Sequence, residues 1–125
     1  MKKISAGIAV LALAGCVSND TPVNAKPTAA STADRNLVAA TIAQNLKDPE
    51  SAQFRNWRAY QLSNGHRVIC AELNAKNGFG GYVGFEPAYA RLSGSRVLTA
   101  QHGDGAALAC SQAAQNTLKI ASALG

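Results

Sequence analysis

The sequence predicts an α+β domain: a small antiparallel sheet of three to four strands, packed by an N-terminal and a C-terminal helix, with one disulfide. Three observations lead to this prediction. Residues 34–47 and 107–124 carry apolar side chains at helical spacing. Between them, short apolar runs are separated by turn pairs such as Asn64-Gly65, which is typical of strands joined as hairpins. Two cysteines, Cys70 and Cys110, lie on the predicted inward faces of a strand and a helix.

The first helix is predicted over residues 34–47, whose apolar side chains fall on one stripe. Ser31 or Asp34 is expected to cap its start. The helix is expected to stop at Asp48-Pro49, because proline disfavours helical geometry in the residue before it. Asp48 is also expected to cap one short turn that begins at the proline.

Strands follow the short turn. The predicted strands are residues 53–62, residues 67–75, a segment that starts at Tyr82, and residues 96–101. The second strand is expected to be central, because apolar residues occupy both of its faces. Residues 76–81 are predicted to form a hairpin loop with Asn77-Gly78 as its turn. Pro87 interrupts the next strand, which predicts a bulge or an edge position.

The last predicted element is an alanine-rich helix over residues 107–124, with Asp104 as its cap. Its inward face includes Cys110, Leu118 and Leu124. Cys110 is therefore expected to point toward the sheet.

The first 15 residues are typical of an export signal. Lys2 and Lys3 precede an uncharged apolar stretch over residues 4–14, which is too short to span a bilayer, since a transmembrane helix needs about 20 residues. The stretch ends in Leu-Ala-Gly-Cys, and this ending resembles the bacterial lipobox. The resemblance implies cleavage before Cys16, a diacylglyceryl thioether on its sulfur and acylation of the new N-terminus.

The same resemblance implies a location. Aspartate after the lipidated cysteine favours retention in the inner membrane of many Gram-negative bacteria, and here that residue is Val17. We therefore expect an envelope protein anchored in the outer membrane and facing the periplasm.

Residues 16–33 are expected to hold the lipidated cysteine and a flexible tether, because the segment is polar and lacks aromatic residues. Such a chain reaches about 20–25 Å. The single folded domain is then expected to span residues 34–125. Removal of Lys2 and Lys3 with the signal leaves ten basic against seven acidic residues, a net charge of +3. This weak positive charge does not predict a nucleic-acid partner.

An exported chain folds in an oxidising compartment, where the two remaining cysteines are expected to form a disulfide. Closing a loop of this size stabilises by about 4 kcal/mol in the chain-entropy model. A redox pair or a metal site is the alternative. The sequence has no C-x-x-C spacing, and His66 and His102 lie apart from any ligand cluster, so we expect no metal and no cofactor.

Nothing in the sequence predicts a catalytic residue. The glycines of residues 78–84 do not fit the dinucleotide-binding pattern, and no serine lies in a nucleophile elbow. Glu72 and Glu86 lie on neighbouring predicted strands and resemble the two carboxylates of a glycosidase. The alternative for this pair is that each glutamate is solvated or lies in an ion pair.

Basic and aromatic residues form a candidate partner surface. Its members are Arg55, Trp57, Arg58, Lys76, Asn77, Phe79 and Tyr82. Arginine and aromatic side chains are enriched at protein interfaces. The alternative is that Trp57 and Phe54 belong to the core, while the arginine stems cover them.

Two segments resemble a recurrent pattern in small, functionally uncharacterised proteobacterial lipoproteins and exported proteins. They are D-P-x-S-A-x-F at residues 48–54 and C-x-x-x-N-A-K-N-x-x-G-G-Y at residues 70–82. The resemblance implies a shared fold and carries no catalytic residues.

We therefore expect a binding or structural accessory role, in which the domain docks on another envelope protein or on cell-wall glycan. The alternatives are a peptidoglycan-directed enzyme and an inhibitor that inserts residues 76–81 into the cleft of a foreign enzyme. An enzyme requires a concave pocket with converging polar groups, whereas a docking module needs only an exposed apolar patch.

Overall fold

The computed structural model describes residues 20–121, which form two α-helices and seven strands. In chain order the elements are β1 (Asp20–Pro22), β2 (Ala25–Thr28), α1 (Thr32–Ala43), a 3-10 turn (Pro49–Ser51), β3 (Gln53–Leu62), β4 (Arg67–Asn74), β5 (Glu86–Ser93), β6 (Arg96–His102), α2 (Asp104–Ala114) and β7 (Lys119–Ala121). Five strands form one antiparallel sheet in the order β2-β3-β4-β5-β6. Strands β1 and β7 pair in a separate antiparallel sheet. No helix within residues 20–121 is long and apolar enough to cross a bilayer.

One helix covers each face of the large sheet, so the α+β class is confirmed. Val38 and Ile42 of α1 are buried on one face, which we call the α1 face. Cys110 of α2 is buried on the other, the α2 face. The sheet contributes Ala59, Ile69, Ala71, Leu73, Ala88, Ala90 and Leu92 to the first cluster, and Tyr60, Leu62, Val68, Cys70 and Tyr89 to the second. Strand β4 contributes to both, which confirms that it is central and covered on both sides.

The predicted disulfide between Cys70 and Cys110 is confirmed. It joins the middle of β4 to the middle of α2, with the two Cα atoms 6.1 Å apart. Both cysteines are buried. The bond therefore fixes the C-terminal helix to the central strand.

Helix α1 begins at Thr32, two residues before the predicted start. Of the two expected caps, Ser31 is the one used: its hydroxyl accepts a hydrogen bond from the backbone N–H of Asp34. The helix ends at Ala43, however, and not at Lys47. The N–H groups of Asn45 and Leu46 donate to carbonyls three residues back, so the last turn tightens before the chain reaches Asp48. This early unwinding fits the extended backbone that a residue before proline requires.

The short turn at Pro49–Ser51 is confirmed, but its capping differs from the prediction. The side chain of Asp48 makes no capping hydrogen bond. Instead, its backbone carbonyl accepts from both the N–H and the hydroxyl of Ser51.

Helix α2 is offset from its predicted bounds. Gly103 is its N-cap and Asp104 its first residue. The helix ends at Ala114 because Asn116 takes a left-handed backbone (φ 57°), and the amide oxygen of Asn116 accepts from the N–H of Ala25. Leu118 is buried as expected, but it lies in the connection to β7 rather than in a helix. Leu124, which the sequence placed on the same face, lies outside the described residues.

The sheet has five strands rather than three to four, because the segment predicted as a tether supplies β2. Residues 25–28 pair with residues 59–62 of β3. Of these four, only Ala25 is partly buried, and Pro27 is tolerated because β2 is an edge strand. Low hydrophobicity predicted a flexible chain here, but an edge strand takes its backbone hydrogen bonds from its neighbour and needs little apolar surface. The ordered chain therefore begins before Asp34.

The Asn64-Gly65 turn is confirmed as the link between β3 and β4, and Gly65 has φ 89° as that turn requires. The prediction for Pro87 is wrong. It lies in β5, an inner strand, opposite Glu72. Proline fits there because it occupies the second residue of the strand, where its carbonyl accepts from Gly103.

Candidate functional site

Four of the five exposed large apolar side chains among the described residues lie in the connection between β4 and β5, residues 75–85, which we call the aromatic loop. Phe79 is 99% exposed, and Val83, Tyr82 and Phe85 are exposed to 69%, 45% and 36%. These side chains stand at the end of the sheet where β3 begins and β4 ends. Clustered exposed apolar side chains of this kind mark interaction sites.

Asn77 organises the tip of the aromatic loop. Its side-chain oxygen accepts hydrogen bonds from the N–H groups of Phe79 and Gly81, at 2.9 and 3.2 Å. Its own N–H donates to the Gly81 carbonyl, and its carbonyl accepts from Gly80, which has φ 81°. Phe79 is therefore presented on a hydrogen-bonded turn, and little conformational entropy is lost when it meets a partner.

The base of the loop is fixed to the 3-10 turn. The N–H of Lys76 donates to the Ser51 hydroxyl at 2.8 Å, and the Tyr82 hydroxyl donates to the Ser51 carbonyl at 3.1 Å. Lys76 and Tyr82 also form a β-bridge, and the Lys76 ammonium lies 5.6 Å from the Tyr82 ring. The loop is thereby attached at two points to the 3-10 turn, and its own two sides are joined by the bridge.

A second cluster borders the loop on the α2 face. The Arg55 guanidinium lies 3.5 Å from the centre of the Phe85 ring and 3.1 Å from a Glu72 carboxylate oxygen. The side-chain amide of Asn56 donates to the other oxygen of Glu72. These hydrogen bonds, that from Asn56 first and then that from Arg55, hold the pKa of Glu72 below its ordinary value. Glu72 is therefore an ionised partner of Arg55, as the non-catalytic alternative held.

A bulge in β3 explains where the arginines point. Between the pairs Arg55–Glu72 and Arg58–Cys70, two residues of β3 oppose the single residue Ala71. Asn56 accommodates the bulge with φ 55°. Both arginines consequently lie on the α2 face, and both are exposed.

Trp57 packs with the core rather than with the candidate partner surface. Its ring stacks on Phe54 with centroids 5.4 Å apart, and both side chains pack against the cluster on the α1 face. The candidate surface is thus divided. Lys76, Asn77, Phe79 and Tyr82 lie together in the aromatic loop, Arg55 joins them through Phe85, and Arg58 flanks Glu72 farther from the loop.

On the α1 face, a shallow groove of about 270 Å³ lies beside the aromatic loop. Glu86 and His102 line it, and their side chains are 2.6 Å apart. Lys47 and Lys76 contribute to its rim, and Leu73 to its floor. Among the described residues that line this groove, none is a serine, threonine or cysteine, so the Glu86–His102 pair has no side-chain nucleophile to activate.

The glutamate pair of the glycosidase hypothesis is not brought together. Glu72 opposes Pro87, and Glu86 opposes Leu73, so the two carboxylates lie on opposite faces of the sheet. Each has a different partner, Arg55 for Glu72 and His102 for Glu86. A glycosidase needs both carboxylates on one substrate, and this arrangement does not supply it.

The two histidines lie at opposite ends of the sheet. His102 ends β6 beside the loop, whereas His66 is buried next to the Asn64-Gly65 turn. Within residues 20–121, no group of three or more histidine, cysteine, aspartate or glutamate side chains is arranged to hold a metal ion.

The sequence did not indicate three parts of this region: the exposure of Val83 and Phe85, the groove, and the Glu86–His102 pair. Val83 and Phe85 were assigned to the face of a strand that actually begins only at Glu86. The contact between Glu86 and His102 depends on the register of β5 against β6, in which Ala88 opposes His102. Alternation along either strand alone does not reveal that register.

Comparison of the chain with protein-family models, curated proteins and solved structures finds no match.

Proposed function

We propose that the protein is a lipid-anchored component of the cell envelope that docks on another envelope protein through the aromatic loop. The observation that carries this proposal is the complete exposure of Phe79 on a turn held by Asn77. Burying a large aromatic side chain of this kind on a partner contributes about 2–3 kcal/mol of favourable free energy, because apolar surface is removed from water. Aromatic anchors in a preorganised loop are typical binding hot spots.

The position of the proposed lipid bears on whether the aromatic loop can face away from the membrane. Cys16 precedes the first described strand residue, Asp20, by four residues. A chain of four residues spans at most about 14 Å. The chain then runs from β1 to Asn24, which exchanges hydrogen bonds with Ser63 beside the first hairpin turn. That turn is at one end of β4, and the aromatic loop is at the other, about 24 Å away. A lipid on Cys16 is compatible with a loop that faces away from the anchoring bilayer.

The charges beside the loop favour a partner with acidic groups around an apolar pocket. Lys76, Lys47 and Arg55 stand around the exposed aromatic side chains. Arg55 is partly neutralised by Glu72, which leaves the two lysines as the stronger contributors. An envelope protein with an apolar cleft and an acidic rim meets these requirements better than an uncharged glycan, which has no group to pair with the lysines.

The Glu86–His102 pair supports a second candidate, a peptidoglycan-directed enzyme. A histidine within hydrogen-bond distance of a carboxylate is a common general base, and the groove gives a substrate access to it. In this mechanism the pair activates water directly, since the groove offers no side-chain nucleophile among its described residues.

Crosslinking in intact cells, followed by purification of the protein, tests the docking proposal. We expect one discrete adduct with the wild-type chain and its loss with Phe79→Ser. Leu108→Ser is the matched control, because Leu108 is 62% exposed on α2 and lies outside the loop. Cys16→Ser tests the contribution of the anchor.

The result that contradicts docking is an adduct that survives Phe79→Ser as well as it survives Leu108→Ser. Loss of peptidoglycan turnover with His102→Gln, while the adduct is retained, favours the enzyme instead. If the crosslinked partner is a foreign enzyme that loses activity on binding, the protein acts as an inhibitor of that enzyme.

A further inference from the structure

We propose that the cavity between α2, β7 and the α2 face of the sheet binds a small oxyanion, phosphate- or carboxylate-sized, through Arg91. The cavity is lined by Tyr89, Arg91, Thr99, Gln101, Gln112 and Lys119, among others. It shares no lining residue with the aromatic loop, so this site does not depend on the docking proposal.

Arg91 is the observation that carries the inference. It lies on the inner strand β5, between Val68 of β4 and Thr99 of β6, and only 4% of its surface is exposed. Its Nη1 atom is buried and has no hydrogen-bond partner among the described residues. A buried charged group without a partner is strongly destabilising, and native proteins almost always satisfy such groups with a partner, water or a bound ion.

No described carboxylate neutralises Arg91. The ion pairs that the structure describes join Asp34 to Arg67, Glu72 to Arg55 and Glu86 to His102, and none includes Arg91. The surroundings are instead basic. Lys119 lines the same cavity, and its ammonium group adds to the positive charge of Arg91. A concentration of positive charge with no counter-charge among the described side chains favours an anion.

The shape of the cavity fits a small oxyanion. Its volume is about 200 Å³, and it is open to solvent. Thr99, Gln101 and Gln112 line the same cavity and carry neutral hydrogen-bond donors. A planar guanidinium matches the oxygens of carboxylate and phosphate, whereas chloride gives it no such geometry. Carboxylate and phosphate share this chemistry, and separate titrations distinguish them.

Thermal unfolding of the purified protein with its disulfide intact tests the site. Inorganic phosphate and acetate are each titrated against sodium chloride at equal ionic strength. Once the anion exceeds its dissociation constant, each further tenfold increase is expected to raise Tm by about 6–11 °C. A response to phosphate alone assigns a phosphate site, and a response to acetate assigns carboxylates. Equal Tm values in all three salts overturn the proposal.

Two variants distinguish a ligand site from a structural role. Arg91→Met is expected to abolish the anion response and to unfold, without anion, at the same or a higher temperature than the wild type, because it removes an unpaired buried charge. Arg96→Met is the matched control: Arg96 is an exposed arginine of the neighbouring strand, and its variant should retain the response. Equal anion responses in wild type and Arg91→Met refute the assignment.

A measurement on the wild type alone covers the case in which Arg91→Met does not fold. We expect the side-chain N–H resonances of Arg91 to shift along a saturable curve during the phosphate titration, while those of exposed Arg58 stay unchanged. Parallel shifts of both arginines, or none in Arg91, contradict the site.

Discussion

His66 shows how one buried side chain couples folding to pH. It is 7% exposed beside the first hairpin turn, where its backbone N–H donates to the side-chain oxygen of Asn64 at 3.0 Å. Burial, followed by the charges of Arg91 and Arg96, lowers its pKa. The neutral imidazole is therefore the form that the folded protein accommodates.

We expect the free energy of unfolding to fall as the pH drops below the ordinary histidine pKa of about 6.5. The folded-state pKa is the lower one, so the unfolded chain binds more protons in this window, and acid favours unfolding. Above that pH, His66 is neutral in both states and contributes no slope. Urea unfolding between pH 5 and pH 8 measures this.

The control is the variant His66→Gln, which should flatten the slope between pH 5 and pH 6.5. An unchanged slope in His66→Gln means that another group is responsible.

Asp34 and Arg67 form the best-defined ion pair of the described chain. Arg67 Nε and Nη2 donate to the two Asp34 oxygens at 2.8 and 3.0 Å, and Nη2 also donates to the Gly94 carbonyl. Hydrogen bonding to the Asp34 carboxylate is the main reason why the pKa of Arg67 is raised. The pair is only partly exposed and joins α1 to β4.

We expect Asp34→Ala to lower the free energy of unfolding by about 1–2 kcal/mol, because it removes two charge-assisted hydrogen bonds that are partly shielded from water. A double-mutant cycle with Arg67→Ala in urea unfolding measures the coupling. Asp48→Ala is the control, since the Asp48 side chain makes no capping bond. Additive effects of Asp34→Ala and Arg67→Ala show that the pair contributes nothing.

At the scale of single elements, local chemistry predicted starts and turns better than ends. Ser31 and Asn64-Gly65 act through hydrogen bonds and dihedral angles within a few residues, and both predictions are confirmed. The end of α2 depends on Asn116, whose side chain bonds to Ala25, 91 residues away in sequence. No local pattern contains that contact, so the helix was predicted to continue.

The attachment of α2 also depends on a single distant contact. Two of its three buried residues, Ala106 and Ala113, are small, and the third is Cys110. Burial of alanine contributes little apolar area, so the disulfide to Cys70 is the main covalent and packing link of this helix to the sheet.

We expect replacement of both cysteines by alanine to lower the free energy of unfolding by about 2–5 kcal/mol, the range typical of small secreted domains. Hydrogen exchange should locate the effect: amides of α2 lose protection first, while those of α1, which packs on the opposite face, change less. Equal losses in both helices would show that the bond stabilises the fold only globally.

For the molecule as a whole, the arrangement of the layers was more predictable than the surface. Apolar residues on both faces of β4 predicted its central place, because burial leaves a pattern in the sequence. The edge strand β2 was missed because exposed residues leave no such pattern. Phe79 was identified as a candidate, but its complete exposure depends on how Asn77 folds the loop.

The two ends of the large sheet carry different features. The N-terminal strand lies toward the end that carries the first hairpin turn, and the aromatic loop lies at the opposite end of β4. If Cys16 carries the proposed lipid, we expect the first end to face the bilayer and the second to face the periplasm.

Photocrosslinking in intact cells tests this arrangement most directly. A photoreactive amino acid is placed at position 79 in one strain and at position 64, an exposed residue of the first hairpin turn, in another. We expect a discrete protein adduct from position 79 and none of that mass from position 64. The same adduct from position 64 with none from position 79, or a lipid adduct from position 79, would contradict docking through the aromatic loop.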